Sequence, residues 1–349
     1  MPVSSIAKSA ILMVFLVLIS VLSWESYLRH NGVAIAYDDN PALWSDKRAM
    51  VYEPIDKATV FIGSSRITYD LDINTWKNIT GDHPVLLAIP GDCPRPVLED
   101  LGNDKNFKGR LVVDVTEGLF FSSDPENSGG SVKRIKYYKD QTPAQRVGFF
   151  LDHLLESRFV FLDDNFTLGA TLDKLGIHNR KGVFSPPNLF PMEFGRATFD
   201  RQNIMTHAFL TDSNIRKKVT NLWMFYEKIN TELPVSGDSL LHVLQSIKAS
   251  TDKIKARGGQ VLFVRTPSSG HYLESEKKDF PRSLYWDRLL AFTECPGIHF
   301  ADYTAIDHFD CPEWSHLSQD QAIVFTKEFI RILKDEKGWK FLKPIASIN

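Results

Sequence analysis

Five short runs rich in β-branched and other apolar residues alternate with amphipathic stretches along the chain. Most of the runs stop at a glycine, a proline or a polar residue, as buried parallel strands do. Amphipathic spacing predicts helices over Ser239–Arg257 and Ser318–Leu333, and Ser318 and Gln321 have the spacing of a capping box. This order predicts an α/β domain with a mainly parallel sheet covered on both faces, a three-layer α/β/α arrangement. The predicted strands are Thr59–Ile62, Val85–Ile89, Leu111–Val115, Gln260–Val264 and Ile298–Ala301.

An uncharged apolar run, Ala10–Trp24, lies near the start of the chain, with Lys8 before it and Glu25 and Arg29 after it. With its flanking residues the run just reaches the length that a membrane span needs, about 20 residues. Residues 1–26 are therefore interpreted as a membrane anchor. Lys8 favours a cytoplasmic N-terminus and an extracytoplasmic C-terminal domain, either periplasmic or at the cell surface. The alternatives are a cleaved signal peptide, which predicts a secreted protein, and a buried core helix.

The rest of the chain divides into a lead-in and a body. Residues 27–57 lack clear periodicity and are interpreted as a stalk, and residues 58–349 as the α/β domain. About 140 residues separate the third and fourth strands, far more than a crossover needs. We expect this insertion, about residues 120–236, to form a partly helical cap that shapes a substrate groove. The alternative is an insertion that only packs on the body.

Composition excludes one function class and limits others. The net charge is −2 and no basic stripe occurs, which argues against nucleic-acid binding. No His-x-Glu-x-x-His or Cys-x-x-Cys motif occurs, so neither a metal nor another cofactor is predicted. Three cysteines are too few for a disulfide framework. Cys93 and Cys311 are favoured as a pair over Cys295, and three free buried thiols are the alternative.

Two segments carry the residue types of nucleophilic catalysis. Phe61–Arg66 runs from a strand into a glycine-flanked turn, which would expose the Ser65 hydroxyl above the sheet. Cys311–Leu317 places Glu313 three residues before His316, so the carboxylate can hold Nδ1 and leave Nε2 for a serine. A base that takes the serine proton, with backbone N–H groups for the oxyanion, makes such a hydroxyl a nucleophile.

These segments resemble the four blocks of the SGNH (GDSL-type) hydrolase superfamily, in chain order from about Thr59 to Leu333. Gly63-Ser64-Ser65 resembles the Gly-Asp-Ser turn with Ser in place of Asp, Gly91 matches the oxyanion glycine, and His316 matches the base. The resemblance implies a flavodoxin-like SGNH fold, a Ser65 nucleophile, and an oxyanion hole formed by Ser65 and Gly91.

Two positions depart from the pattern of the family. Thr116 stands where the oxyanion-binding asparagine is expected, and Glu313 replaces the aspartate of Asp-x-x-His, with Asp310 as the alternative acid. These departures are similar to membrane-anchored SGNH proteins that help to acylate cell-surface polymers, such as alginate O-acetylation proteins and the D-alanylation protein of lipoteichoic acid. The literal tetrapeptide Gly237-Asp238-Ser239-Leu240 follows no strand, and we read it as a helix start.

Three arginines complete the candidate site. Arg66 and Arg265 follow predicted strands, and Arg282 follows Pro281. If they converge, the substrate is anionic, such as a uronate or a phosphate-bearing polymer; structural ion pairs with Glu117 or Asp287 are the alternative.

The sequence thus predicts an envelope-facing serine esterase or O-acyltransferase that acts on an acylated polymer or glycan. The alternative is a non-catalytic binding or scaffold protein that partners a membrane acyltransferase.

Overall fold

A computed structural model describes residues 5–54, 57–166, 170, 190–230 and 232–342. The chain divides into two compact units. One consists of Met1–Asp38 and Pro143–Pro187, and the other of Asp39–Thr142 and Asn188–Asn349. The second unit contains the sheet and all of the predicted site residues.

The described residues of the second unit form a five-stranded parallel sheet and a small antiparallel hairpin. The order in the large sheet is β2-β1-β3-β6-β7, and β4 pairs with β5. All five predicted strands are confirmed, with ends that differ by up to three residues, and the α/β class is confirmed with them. The strands are β1 Ala58–Ile62, β2 His83–Leu86, β3 Arg110–Asp114, β4 Arg196–Ala197, β5 Asn203–Ile204, β6 Gln260–Arg265 and β7 Gly297–His299.

Both predicted helices are present, with ends that shift by one or two residues, and the capping box of Ser318 and Gln321 is formed. The described α-helices are α1 Ser5–His30, α2 Pro41–Ala49, α3 Ser65–Asp70, α4 Ile73–Thr80, α5 Arg95–Asn103, α6 Glu117–Phe120, α7 Gly129–Asp140, α8 Pro143–Glu156, α9 His207–Thr211, α10 Ser213–Ile229, α11 Gly237–Ala256, α12 Gly270–Asp279, α13 Trp286–Thr293 and α14 Gln319–Asp335. Short 3₁₀ helices lie at Pro125–Ser128, Val160–Leu162, Asp164–Phe166, Met192–Phe194 and Phe300–Asp302.

The sheet separates two hydrophobic cores. Successive side chains of a strand point to opposite faces, so Val60 and Ile62 of β1 enter one core and Phe61 enters the other. The first core is covered by α2, α5, α11 and α13, and the second by α3, α4 and α14. The predicted three layers are therefore present in this unit.

The first unit contains the apolar N-terminal helix. The α1 helix is long and apolar enough to cross a membrane, with an 18-residue window of mean hydropathy 2.4, and none of that window is buried. A core helix would bury its apolar side chains, so the core-helix alternative does not hold.

The structure differs from the expected layout at two places. Residues 27–57 include α2, where Trp44 is fully buried and its Nε1–H donates to Leu87 O over 3.0 Å. Much of the expected stalk is therefore part of the body. The insertion is also divided, because α8 belongs to the first unit while α7, α9 and α10 belong to the second.

The favoured pairing of Cys93 with Cys311 is not formed, and all three cysteines are free and buried. The sulfurs have different surroundings: Cys93 Sγ lies 4.0 Å from Phe120 O, and Cys311 Sγ lies 3.9 Å from Pro267 O. The alternative of three small buried thiols describes this arrangement.

Candidate active site

Ser65 occupies the turn between β1 and α3. The strand ends at Ile62, and Ser65 is the first residue of the helix that follows, partly exposed. Gly63 allows this tight turn, because a Cβ there would lie 2.6 Å from the Asp114 Cβ. A first helical residue has no intrahelical acceptor for its N–H, so the backbone of Ser65 presents an unused donor beside its own hydroxyl.

The structure joins Ser65 to the two residues predicted at the far end of the chain. His316 Nε2 lies 2.8 Å from Ser65 Oγ, and His316 Nδ1 lies 2.8 Å from Glu313 Oε1. Since an ionised carboxylate only accepts hydrogen bonds, Nδ1 carries the proton and Nε2 is free to accept from the serine. This is the geometry of a nucleophile–base–acid triad.

Both oxygens of Glu313 accept hydrogen bonds. The backbone N–H of His316 donates to Oε1 over 2.7 Å, and Trp223 Nε1–H donates to Oε2 over 2.5 Å. Glu313 is fully buried, and a buried carboxylate is stabilised only when such donors replace water. Trp223 comes from α10 in the insertion, and the sequence around it has no motif that would have identified it.

The loop that carries Glu313 and His316 has a strained backbone. Trp314 has φ +77°, the left-handed region that costs a non-glycine residue about 1–3 kcal/mol. Its carbonyl accepts from the backbone N–H of Ser269 over 2.8 Å. After the loop, the N–H of Leu317 donates to Asp70 Oδ1 over 2.9 Å. These contacts tie the loop to the segment after β6 and to α3, the helix that begins with the nucleophile.

Aromatic rings enclose the imidazole. The centroid of the His316 ring lies 4.6 Å from that of Tyr69, 5.8 Å from Phe194 and 6.1 Å from Trp223. His316 is only 1% exposed. The segment around Phe194 and α10 therefore covers the His316 imidazole, while Ser65 is partly exposed.

The two other expected oxyanion residues follow β2 and β3. Gly91 is exposed with φ +70°, and no atom lies within 4 Å of the place where a Cβ would stand. Thr116 directly precedes α6, and its hydroxyl donates to Asp114 Oδ2 over a long 3.4 Å. Burial raises the pKa of the Asp114 carboxyl from 3.8 to about 6.

Arg66 and Arg265 converge in one buried ion-pair cluster. Both guanidinium groups bond to Glu276, and Arg265 Nε also donates to Glu117 Oε1 over 3.1 Å. Arg66 is fully buried, with Nη1 4.0 Å from Glu117 Oε2. Two carboxylates match two guanidinium groups, so the ion-pair alternative describes these arginines, and neither presents a free cation to a substrate.

The remaining candidates lie elsewhere. Arg282 is half exposed and pairs with Asp302 over 2.5 and 2.8 Å and with Asp287 over 3.1 Å. Asp310 is exposed and accepts from Ser269 Oγ over 3.2 Å, whereas Glu313 holds His316. Ser239 is exposed in the first turn of α11, the helix start that the sequence predicted.

Within the part of the chain that the structure describes, no group of three or more His, Cys, Asp or Glu side chains could hold a metal ion. Comparisons with known proteins found no match: no family model matches the sequence, and no curated protein matches it.

Proposed function

We propose that this protein is a serine esterase or O-acyltransferase that works through an acyl-enzyme on Ser65. The observation that carries the proposal is the continuous chain of hydrogen bonds from Ser65 Oγ through His316 to Glu313. The three residues come from segments about 250 positions apart in sequence, with His316 and Ser65 separated by 251 residues. A base within hydrogen-bond reach of a nucleophile, itself held by a buried acid, is the arrangement that acyl transfer needs.

The steps follow from the positions of the hydrogen-bonding groups. Ser65 Oγ bonds to the acyl carbonyl carbon as its proton passes to His316 Nε2, and Glu313 stabilises the resulting imidazolium. The tetrahedral intermediate collapses, and the leaving oxygen takes the proton from Nε2. An acceptor hydroxyl, from water or from a sugar, then gives its proton to Nε2 and attacks the acyl carbon. The bond from the acyl carbon to Ser65 Oγ breaks, and Nε2 returns the proton to Ser65 Oγ.

The oxyanion would bind to backbone N–H groups of Ser65 and Gly91, with the Thr116 hydroxyl as a third donor. Loss of one such donor costs about 10²–10³ in rate in a serine enzyme. A threonine that must first leave Asp114 is a weaker donor than a free amide. We therefore expect slow hydrolysis of simple esters.

An SGNH-type fold is part of the proposal. Counted within the large sheet alone, the strand order is 2-1-3-4-5, the order of flavodoxin-like doubly wound sheets, which bind ligands at the carboxyl ends of the strands. Ser65, Gly91 and Thr116 follow the carboxyl ends of β1, β2 and β3. Chain order and strand position together support the resemblance that the sequence motifs indicate.

The proposed setting is the cell envelope. The α1 helix would anchor the chain with its C-terminal body outside the cytoplasm, where an acylated polymer or glycan is the substrate class and a membrane acyltransferase a candidate partner. An anionic substrate remains part of the prediction, but it must be recognised by groups other than Arg66 and Arg265, whose charges are already matched.

The test is turnover of an activated acetyl ester by the full-length protein in detergent. We expect turnover in wild type and in Ser239→Ala, and loss of turnover in Ser65→Ala and His316→Ala. The Ser239→Ala change is the matched control, since it removes an exposed hydroxyl outside the site. Folded wild-type protein without turnover, with or without a sugar acceptor, would favour the non-catalytic scaffold instead.

A further inference from the structure

The α8 helix, Pro143–Glu156, carries an apolar stripe of exposed side chains. The stripe residues recur at the spacing of a single helix face, and all are exposed. None of the residues of α8 is buried. A soluble protein turns such a stripe toward its core, so the stripe requires a cover. We call it the α8 stripe: Val147, Phe150, Leu151, Leu154 and Leu155.

The opposite side of α8 carries the groups that face the rest of the unit. The His153 ring lies 6.3 Å from Phe149 and 5.6 Å from Tyr37, centroid to centroid. Glu156 lies near Asp38, and burial, followed by the charge of Asp38, raises the pKa of its carboxyl to about 7. The side of the helix that carries His153 and Glu156 thus faces its own unit, and the apolar side is exposed. A helix at a water-exposed surface has the opposite arrangement.

Hydrogen bonds hold the segment that follows α8 at the end of the apolar run of α1. The backbone N–H groups of Val160 and Phe161 donate to the Glu25 carboxylate over 3.2 and 3.1 Å. Arg29 Nη2 donates to Arg158 O over 2.7 Å. Glu25 is the first charged residue after the apolar run, so these bonds hold the segment after α8 at the level where a membrane span would reach the headgroups.

Aromatic residues mark the same level of α1. The rings of Trp24 and Tyr27 stack with centroids 5.4 Å apart, and both side chains are exposed. Tryptophan and tyrosine concentrate at membrane–water interfaces, where the ring meets hydrocarbon and the polar atom meets water.

We propose that α8 is an interfacial membrane helix whose stripe enters the lipid leaflet at the C-terminal end of α1. The stripe contacts lipid at the boundary between the headgroups and the acyl chains of the membrane that α1 spans. The polar residues of α8 have no excess of basic charge, with Arg146 balanced by Asp152. Insertion therefore rests on apolar burial, and it does not require anionic lipid. The inference is independent of the chemistry of Ser65.

The experiment uses the full-length protein in nanodiscs of zwitterionic phosphatidylcholine. Single cysteines replace Leu151 and Leu154 on the stripe, Asp152 outside it, and Leu16 within α1, each labelled with an environment-sensitive fluorophore. The native cysteines are buried, so unsubstituted protein gives the labelling background. Quenching is measured with aqueous iodide and with lipids that carry a quencher near the headgroup or deep in the acyl chain.

We expect Leu151→Cys and Leu154→Cys to be quenched by the shallow lipid quencher and to be several-fold less sensitive to iodide than Asp152→Cys. Leu16→Cys should respond to the deep quencher. Stripe sites as open to iodide as Asp152→Cys would overturn the proposal. So would stripe sites shielded from both quenchers, which would mean that protein covers them, whether another part of this chain or a second copy. A Leu16→Cys site that no lipid quencher reaches would remove the span and the proposal with it.

Discussion

Replacing Trp223 by phenylalanine tests whether the insertion helps to position Glu313, the proposed catalytic acid. The change keeps an aromatic ring beside His316 and removes the Nε1–H that donates to Glu313 Oε2 over 2.5 Å. A hydrogen bond to a charged group contributes about 1.5–3 kcal/mol. If all of it acts in the transition state, kcat/KM falls by about 10- to 150-fold. Glu313 keeps the two donors from His316, so we expect the lower end, about tenfold.

Positioning and simple loss of packing are separated by two measurements. A lost positioning bond lowers kcat/KM of the folded protein, because Glu313 stabilises the imidazolium that forms when His316 takes the serine proton. Loss of packing alone lowers the free energy of unfolding.

The assay is hydrolysis of an activated acetyl ester together with urea unfolding, with Trp44→Phe as the control. Trp44→Phe removes a comparable buried indole bond, to Leu87 O, in the core that α2 helps to cover. It should lower stability without a comparable fall in kcat/KM. A Trp223→Phe variant with the kcat/KM of wild type would refute the reasoning.

Three further predictions follow from the buried groups. Glu313→Gln should lower kcat by about 10⁴, as amide changes that disrupt the histidine tautomer do. A carboxamide has one N–H group where the carboxylate has an oxygen, and that group would face a donor from His316 or Trp223. Single-turnover rates measure the effect. Arg66→Met should lower the free energy of unfolding in urea by about 3–5 kcal/mol, because it leaves Glu276 short of a partner. Arg282→Met removes a residue of an exposed cluster and should cost about 1 kcal/mol or less. Equal losses in the two variants would contradict this prediction. Because the folded-state pKa of Asp114 is raised, its contribution to stability is present below 3.8 and is lost as pH rises through about 6. Above that pH, Asp114→Asn should therefore be more stable than wild type by up to about 3 kcal/mol in free energy of unfolding. Urea unfolding is measured for both proteins below pH 3.8 and above pH 6. The same difference in urea midpoint at both pH values would contradict the prediction.

The parts of the fold that were predictable from sequence are those with local signals. Each strand is a short apolar run with a turn residue after it, and α14 starts at a capping box whose two bonds are local. Ser65 and His316 could be found because each lies at such a boundary, and chain order linked them. Glu313 could be paired with His316 since three residues is a distance that a single loop can close.

The parts that could not be predicted depend on contacts between distant segments. Trp223 belongs to an ordinary amphipathic helix, and only folding of the insertion brings its indole to Glu313. Trp44 lies in a segment without clear periodicity, yet its ring is part of the core that α2, α5, α11 and α13 cover. Arg66 and Arg265 have the sequence positions expected of substrate-binding arginines. Only the folded structure shows that Glu276 forms ion pairs with both of them.

The most direct test of the account is capture of the acyl group on Ser65. Full-length protein would be mixed with an activated acetyl ester, quenched in acid within the first turnover, and digested for mass spectrometry. The account predicts an acetyl adduct on the peptide that contains Ser65, absent from Ser65→Ala and retained in Ser239→Ala. Turnover by folded wild-type protein with no adduct on that peptide, or with the adduct on another residue, would contradict it.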